Sequence, residues 1–179
     1  IYGIVPMTVR QAMADLVKKG LIYRVRGKGT FVSPHALDHP LDHLKSFSED
    51  MRSRDLTPSS KILYFKREIP SLRIAQVLNI HENKKILHVK RLRLANDNPV
   101  GFHDCYISGA EFTKEELQRL DSIYALFENK EVSIVEGKDV LEAVEADDEL
   151  SEHLGVSIGS PLLLVTRVSY DSSDRPVEF

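Results

Sequence analysis

The sequence predicts an α+β protein with two parts, a small basic module at the N-terminus and a larger acidic body built on an antiparallel sheet. Three observations predict this organisation. The charge is unevenly distributed, a helical stripe near the N-terminus leads at once into a short hairpin, and hairpins rather than β-α-β crossovers dominate the rest of the 179 residues. A hydrophobic content of 42% is enough for one good core, or for one medium core and one small one.

The positive charge is concentrated at the N-terminus. Between Ile1 and His35, six cations face a single anion, Asp15, so this stretch carries +5 while the remainder carries −8 of the formal total of −3. The six cations are Arg10, Lys18, Lys19, Arg24, Arg26 and Lys28. A basic module on an acidic body is typical of a protein that meets a polyanion with one part only.

A helix followed by a hairpin is predicted within this basic stretch. Apolar residues recur at helical spacing and give the segment from Pro6 to Lys19 one apolar face: Val9, Ala12, Met13, Leu16 and Val17. Gly20 is well placed to end the helix. The segments Leu21–Arg26 and Thr30–Val32 flank Gly27-Lys28-Gly29 and predict a hairpin with a cationic tip. A helix and then a basic hairpin form the second half of a winged helix-turn-helix.

Three stretches of this region resemble the GntR family of bacterial repressors. They are Tyr2–Ala12, Leu16–Ile22 and Gly27–Val32. The resemblance implies that the helix bearing Thr8-Val9-Arg10 enters the major groove and that the wing glycine approaches the minor groove. The residues expected to contact DNA are Thr8, Arg10, Gln11, Arg26, Lys28 and Gly29. Arginine can hold a guanine or a phosphate with two hydrogen bonds, and the alternative for Arg10 is a solvent-facing helix residue.

The resemblance also sets the limits of the first domain. Tyr2-Gly3 corresponds to the end of the helix before the recognition helix, so we expect a truncated DNA-binding domain over residues 1–34 whose N-terminal helices are missing. Such a fragment is not expected to bind DNA well by itself. The full-length protein is expected to bind double-stranded operator DNA as a homodimer.

A polar, proline-containing stretch over residues 35–43 predicts a linker. His35, His39 and His43 are spaced four apart and could form a metal-binding row on a helix. Pro40 interrupts such a helix and no cysteine lies nearby, so we expect a solvated linker without a metal. The single cysteine excludes an internal disulfide framework. Since no apolar run approaches the roughly 18 residues of a membrane span, we expect a cytoplasmic protein without membrane contact and without a cofactor.

Residues 44–179 are expected to form an antiparallel sheet with flanking helices. Helices are predicted at Leu44–Arg54, Ser71–Leu78, Thr113–Leu120, Ser122–Glu128 and Asp147–Leu154. Strands are predicted at Ser60–Ile69, Lys85–Leu94, Val100–Ile107, Val132–Ala146 and Pro161–Tyr170, with a last strand after Arg175.

This body resembles the UTRA effector-binding domain of the HutC subfamily. The matching pieces are Arg91-Leu92-Arg93 before Asn98-Pro99, Ser122-Ile123-Tyr124, Leu154-Gly155-Val156 with Gly159–Leu163, and Arg175–Glu178. The resemblance implies a chorismate-lyase-like fold, a homodimer, and a bound metabolite such as a phosphorylated sugar, an amino-acid derivative or a fatty acid. The last strand is expected to be cut short at Phe179.

One strand predicts where the metabolite binds. With a period of two, Leu87, Val89, Arg91 and Arg93 share a face, so two arginines continue a face that begins with core residues. Cations on such a face must find anionic partners or open onto a pocket, because an unpaired buried charge costs several kcal/mol, on the order of 3–5. The two arginines, about 7 Å apart at Cα, can hold one phosphate or carboxylate from two directions. The alternative is that they pair with acidic residues on adjacent strands.

The resemblance adds further residues to this site. It implies that Ser122, Tyr124 and the two arginines line the effector pocket, and the alternative for Ser122 is a plain helix cap. His103 stands where many sugar-phosphate sensors of the family have an acidic residue, which leaves an anionic ligand plausible and puts an N-acetylglucosamine-phosphate ligand in doubt. Glu142 and Glu178 are further candidates.

The sequence therefore predicts a ligand-responsive transcription regulator, a repressor without catalytic activity that senses a small anionic metabolite such as a sugar phosphate. Two alternatives stay open. One is an enzyme related to chorismate lyase, which a DNA-binding module argues against. The other is a dimerisation domain without a ligand, which leaves Arg91 and Arg93 unexplained unless they are salt-bridged.

Overall fold

The computed structural model describes residues 6–18, 22–32 and 46–179 and divides the chain into two compact units, 1–42 and 43–179. The predicted linker over 35–43 lies outside the described residues, as do the residues at which the first helix was predicted to end. Each unit is described by itself.

The first unit contains the predicted helix and hairpin. Helix α1 spans Pro6–Lys18, and strands β1 (Ile22–Val25) and β2 (Gly29–Val32) pair antiparallel. The turn between them is closed by the backbone N–H of Lys28, which donates to the carbonyl of Val25 at 3.0 Å. Gly27 (φ 80°) and Gly29 (φ 123°) adopt backbone conformations that side-chain-bearing residues avoid. Glycine at these two positions is therefore a requirement of the hairpin tip.

The apolar stripe of α1 is only partly covered within the described residues. Met13 and Leu16 are half-buried, whereas Met7, Val9 and Val17 are exposed. The predicted periodicity is present in the helix, but half of the stripe has no covering partner among the residues that the structure describes.

The second unit is a six-stranded antiparallel sheet with short helices, and the predicted fold class is confirmed. The helices are α2 (Phe47–Ser53), α3 (Leu72–Val77), α4 (Lys114–Leu120), α5 (Ile123–Asn129) and α6 (Asp148–Leu154). The strands are β3 (Pro58–Glu68), β4 (Ile86–Ala95), β5 (Asn98–Ile107), β6 (Ile134–Glu145), β7 (Pro161–Asp171) and β8 (Pro176–Glu178), in the order β3-β4-β5-β8-β7-β6. None of the helices in the described ranges is long and apolar enough to span a bilayer.

Local sequence explains the boundaries of these elements. Asn96 and Asp97 have φ values of 49° and 64° and form a two-residue turn between the paired residues Ala95 and Asn98, as a tight hairpin requires. Each short helix begins after a residue whose side chain accepts a backbone N–H of the first turn: Ser46, Ser71, Thr113, Ser122 and Asp147.

The core lies on one face of β4 and β5, which we call the core face. It carries Leu87, Val89, Arg91 and Arg93 of β4, as the period of two predicts, and α4 and α5 pack against its apolar part. The buried cluster consists of Leu87, Val89, Cys105, Ile107, Phe112, Leu117, Ile123, Leu126, Phe127 and Val177. The polar continuation of this face is where the candidate site forms.

Close packing around Gly109 gives a stability prediction. A Cβ added at Gly109 would lie 2.6 Å from Cγ1 and 2.9 Å from Cβ of Val177, which is itself buried in the core. We expect Gly109→Ala to lower the free energy of unfolding by about 1–3 kcal/mol, because the core must shift to admit the methyl group. Urea unfolding measures the change. Gly101→Ala is the matched control, since a Cβ there meets only Cβ of Arg93 at 4.0 Å; equal losses in both variants would contradict the packing argument.

Candidate functional site

A row of polar side chains crosses the core face beyond its apolar cluster. Strand register places Arg91 opposite His103, Ser169 opposite Glu178 and Arg167 opposite Asp139. The row thus runs across β4, β5, β8, β7 and β6, and its two ends differ in how their charges are paired.

The two terminal nitrogens of Arg93 are engaged by the protein, whereas its buried Nε has no hydrogen-bond partner among the described residues. Its Nη1 donates to Ser60 Oγ at 2.5 Å and lies 3.3 Å from Oδ1 of Asp121, and its Nη2 donates to Ser48 Oγ at 3.1 Å. The guanidinium also stacks on the ring of Phe47, with its carbon 4.2 Å from the ring centroid. Arg93 therefore ties α2 and the α4–α5 junction to the sheet, and for this arginine the ion-pair alternative applies.

Arg91 is buried but only partly engaged. It is 3% exposed, and its Nη2 bonds His103 Nδ1 at 2.9 Å. Its Nε and Nη1 are buried and have no hydrogen-bond partner among the described residues. Burial lowers the pKa of Arg91, while Cys105, Asp121 and Glu178 act in the opposite direction. A guanidinium buried with two unpartnered nitrogens is costly unless an acceptor joins it.

A partly open cavity of about 200 Å³ lies beside Arg91. Its lining residues are Pro58, Ser59, Ser60, Ile62, Arg91, Leu117, Gln118 and Asp121. The Oδ2 atom of Asp121 is also buried without a hydrogen-bond partner among the described residues. The cavity is large enough for an anionic group such as a phosphate. It lies beside the part of the row where Nε and Nη1 of Arg91 have no hydrogen-bond partner among the described residues.

His103 is a neutral histidine in this arrangement. The ring keeps a small exposed surface but is densely surrounded by protein, and this burial is the main cause that holds its pKa well below the usual range. The cationic side chains of Arg91, Arg93 and Arg167 act in the same direction. A proton on both ring nitrogens would add a charge next to three guanidinium groups.

His103, Cys105 and Glu178 have metal-ligating atoms within 4.8 Å of one another. They fit a metal ion poorly, because one ring nitrogen of His103 already accepts a hydrogen bond from Arg91. Burial also raises the pKa of the Cys105 thiol, and the Glu178 charge adds to this effect. The cluster is therefore better matched to hydrogen bonding than to metal coordination.

The far half of the row is a closed hydrogen-bond network. Arg167 holds Asp139 through two bonds of 2.6 Å and donates to the Tyr124 hydroxyl at 3.3 Å. Tyr124 lies 3.2 Å from Ser169 Oγ, which donates to Glu178 at 2.9 Å. Burial raises the pKa of Glu178, although the Ser169 hydrogen bond and nearby arginines oppose the rise. This half of the row holds Tyr124 and Glu178 in one hydrogen-bond network.

The structure brings most of the predicted effector residues together. Arg91, Arg93, His103, Tyr124 and Glu178 all belong to the polar row or its network. Ser122 is buried and caps α5 by accepting from the N–H of Ala125 at 3.2 Å. Glu142 is different: it is exposed and lies out of phase with Asp139 on β6, so it faces away from the row.

Three members of the row were not predicted from the sequence: Asp139, Arg167 and Ser169. A signal for two of them was present. Arg167 and Ser169 alternate with Val168 in a strand that is otherwise mostly apolar, and this is the same pattern that identified Arg91 and Arg93.

The residues predicted to contact DNA are accessible in the first unit. Thr8, Arg10 and Gln11 are exposed on α1, and the amide of Gln11 donates to Asp15 at 3.1 Å. Arg26 and Lys28 are exposed in the turn between the two strands. Gly29 begins β2, next to that turn.

Comparison with known proteins identifies the class of protein that this fold and site define. The UTRA domain family matches residues 53–179. The chain is 36% identical over 173 residues to the HTH-type transcriptional repressor NagR of Bacillus subtilis, covering 94% of this chain and 70% of that protein. It is 26% identical over 178 residues to the histidine utilization repressor of Pseudomonas putida, covering 98% of this chain and 71% of the relative.

The solved structure of PhnF from Mycobacterium smegmatis has the same fold, with a TM-score of 0.82 at 21% identity, covering 99% of this chain and 79% of that one. The protein belongs to the UTRA domain family, in the GntR/HutC group of transcription regulators. It is a regulator of this group rather than an enzyme, as the names of these relatives indicate.

The neutral state of His103 predicts a pH dependence of stability. In the unfolded chain the pKa of a histidine is about 6.5, whereas in the folded protein the pKa of His103 is held well below that value. Below about pH 6.5 the unfolded chain binds a proton that the folded protein does not. This contribution to stability is therefore complete above that pH and is lost as the pH falls.

We expect the free energy of unfolding to fall between pH 7 and pH 5 by up to about 1.4 kcal/mol per pH unit more than in His103→Gln. Urea unfolding at several pH values measures the difference. All other ionisable groups are present in both proteins, so the comparison isolates His103. Parallel pH profiles would show that the folded protein accepts a proton on this ring.

Proposed function

We propose that this protein is a repressor that binds operator DNA as a homodimer and is controlled by a small anionic metabolite bound in the cavity beside Arg91. The proposal assigns residues 1–34 to a winged helix-turn-helix, 35–43 to a linker and 44–179 to the effector-binding domain. The observation that carries it is the buried guanidinium of Arg91, with two nitrogens that have no hydrogen-bond partner among the described residues.

An anion is the ligand that this arrangement favours. A neutral ligand would leave the buried charge of Arg91 uncompensated, at a cost of several kcal/mol. A phosphate or carboxylate oxygen would accept a hydrogen bond from Nε or from Nη1 and would supply a counter-charge for the buried guanidinium. Relatives are named as repressors of fructoselysine utilization and of histidine utilization, so anionic derivatives of both sugars and amino acids belong to the candidate class.

The first unit supplies the chemistry for DNA. Its exposed helix carries Thr8, Arg10 and Gln11, and its turn carries Arg26 and Lys28 next to Gly29. These donors suit base edges and phosphates, and none of the four side chains with amide or cationic groups is buried. A protein with this role works where the operator is, in the cytoplasm.

A second copy of the chain is proposed to pack on an apolar patch of the β6–β7 hairpin. Leu141, Leu163 and Val165 lie on the same side of this hairpin and are 40%, 65% and 43% exposed. Most oligomers are symmetric dimers, and exposed apolar patches mark their interfaces. A dimer also matches the two half-sites that winged-helix regulators read on DNA.

The two alternative functions are weaker. A lyase is disfavoured by the regulator names of the relatives. A dimerisation domain without a ligand accounts for Arg93, which is paired with Asp121, but leaves the unused donors of Arg91 without a purpose.

Thermal unfolding against a panel of sugar phosphates, amino acids, dicarboxylates and fatty acids tests the effector proposal. A ligand at 100 times its Kd adds about 2.7 kcal/mol to stability, or roughly 5–10 °C in Tm. We expect an anionic class to produce this shift in the wild-type chain and Arg91→Gln to abolish it. Arg119→Gln, an exposed arginine on α4, is the matched control and should keep the shift. A shift that survives Arg91→Gln would move the ligand elsewhere.

Sedimentation velocity tests the dimer. Leu163→Lys is expected to raise the dimer Kd more than about tenfold, because it places a charge in an apolar interface. Ile158→Lys alters an equally exposed apolar residue in a turn outside the patch and should leave the dimer intact. A wild-type chain that sediments as a monomer, or equal weakening by both changes, would contradict the proposed interface.

A further inference from the structure

A second polar cluster lies on the face of the sheet opposite the core face, and we call it the His88 cluster. Its members are Tyr64 and Glu68 of β3, His88 of β4, and Asp104 and Tyr106 of β5. His88 is buried at a position of β4 that alternates with the residues of the core face. Because Arg91 belongs to the core face, the cluster is separate from the proposed effector site.

Both ring nitrogens of His88 face a carboxylate. Nδ1 lies 2.8 Å from Oε1 of Glu68, and Nε2 lies 2.6 Å from Oδ1 of Asp104. An ionised carboxylate has only acceptors, so each contact needs a proton on the ring nitrogen. A neutral imidazole carries one proton and can satisfy only one of the two carboxylates. The geometry therefore requires either the imidazolium or a proton on one of the carboxyl groups.

The surroundings of the two carboxyl groups place the proton on the ring. The second oxygen of Glu68 accepts from the Tyr64 hydroxyl at 2.6 Å, and the hydrogen bonds from Tyr64 and His88 lower the pKa of Glu68. Oδ2 of Asp104 lies 3.7 Å from Nζ of Lys90. Both groups thus have a second partner that favours their ionised form.

The environment of the ring also suits a cation. The ring of His88 stacks on Tyr106 at a centroid distance of 4.1 Å and meets Tyr64 at 4.9 Å. A cation is attracted to the face of a tyrosine ring. The charged and titratable groups that bear on the cluster are Tyr64, Lys66 and Glu68 of β3, Lys90 of β4, Asp104 and Tyr106 of β5, and Glu149 of α6, which Lys90 contacts. With an imidazolium at His88, three cations balance three carboxylates.

We propose that His88 is a doubly protonated clamp that joins β3, β4 and β5, and that this clamp makes the fold weaken as the pH rises. The imidazolium donates to a neighbouring strand on each side, so the loss of one proton breaks one of the two connections. It also leaves a lone pair of the ring against a carboxylate oxygen. The inference is independent of the proposed function, because no ligand enters it.

The direction of the pH dependence follows from the proton that the clamp holds. A histidine in the unfolded chain gives up its second proton at about pH 6.5. The folded clamp keeps this proton to a higher pH, so that folding above pH 6.5 takes up a proton. The contribution of His88 to stability is therefore complete below that pH and is lost as the pH rises. His103, on the core face, acts in the opposite direction.

Nitrogen NMR of the imidazole rings tests the charge of His88 directly. Long-range proton–nitrogen spectra distinguish an imidazolium from either neutral tautomer, and the His88 signals are those that disappear in His88→Gln. We expect wild-type His88 to be an imidazolium at pH 7.5, about one pH unit above the point at which an unfolded-chain histidine is half neutral. A neutral ring at that pH would overturn the proposal.

Carboxamide variants test whether the two carboxylates hold the proton. Glu68→Gln and Asp104→Asn each remove one anionic acceptor, and we expect either change to move the titration of His88 to lower pH by about one unit or more. Glu149→Gln is the matched control, because it removes the same charge from a partner of Lys90 that does not contact His88. Its titration of His88 should match that of the wild type. Equal shifts in all three variants would contradict the clamp.

Urea unfolding at several pH values measures the consequence for the fold. Between pH 6.5 and pH 8.5 we expect the unfolding equilibrium constant of the wild type to rise more steeply than that of His88→Gln, by up to about tenfold per pH unit. Comparing slopes removes any constant loss of stability in the variant, and Asp104→Asn supplies the comparison if His88→Gln does not fold. Parallel profiles over this range would overturn the proposal. None of these measurements needs a ligand, so they are decided separately from the effector site.

Discussion

The buried guanidinium of Arg91 is the constraint on which the arrangement of the site depends. Because β4 alternates, the face that contributes Leu87 and Val89 to the core also contributes Arg91 and Arg93. The two arginines differ in how many of their nitrogens form hydrogen bonds within the protein. Arg93 donates to acceptors from three segments and leaves only its Nε without a partner among the described residues, whereas Arg91 has one partner and two nitrogens without one. The first arrangement ties segments of the fold together, and the second leaves a buried cation that an anion would satisfy.

The charges along the polar row support this division. Asp121 pairs with Arg93 at one end and Asp139 pairs with Arg167 at the other. Between these pairs lie Arg91 and Glu178, which are both buried and do not form an ion pair with each other in the described structure. A site with one cation and one carboxylate held apart suits a ligand that carries an anionic group and, some distance away, a hydrogen-bond donor. His103 lies between them and adds a second donor.

Local sequence patterns predicted the parts of this structure that depend on neighbouring residues. The shared core face of Leu87 and Val89 on β4, the Asn96-Asp97 turn and the cap at Ser122 follow from periodicity and side-chain chemistry, and all are present. Long-range register was not predictable. Glu142 was expected in the site, but an irregularity after Ile134 and the pairing of Asp139 with Arg167 direct the odd-numbered residues of β6 to the row. Nothing in the sequence of β6 itself shows whether its odd-numbered or its even-numbered side chains lie on the face of the row.

The contacts of Arg93 also indicate how a bound anion could change the structure outside the cavity. A ligand can shift an equilibrium only by interacting differently with two states of some element. Helix α2 is such an element, because Ser48 bonds Nη2 of Arg93 and Phe47 stacks on its guanidinium. Arg93 is two residues from Arg91 on the same face, and burial together with the charge of Arg91 lowers the pKa of Arg93. An anion beside Arg91 would therefore also act on the charge of Arg93. Since α2 is the first helix that the structure describes in the second unit, a change in its anchoring would act first on the N-terminal end of that unit.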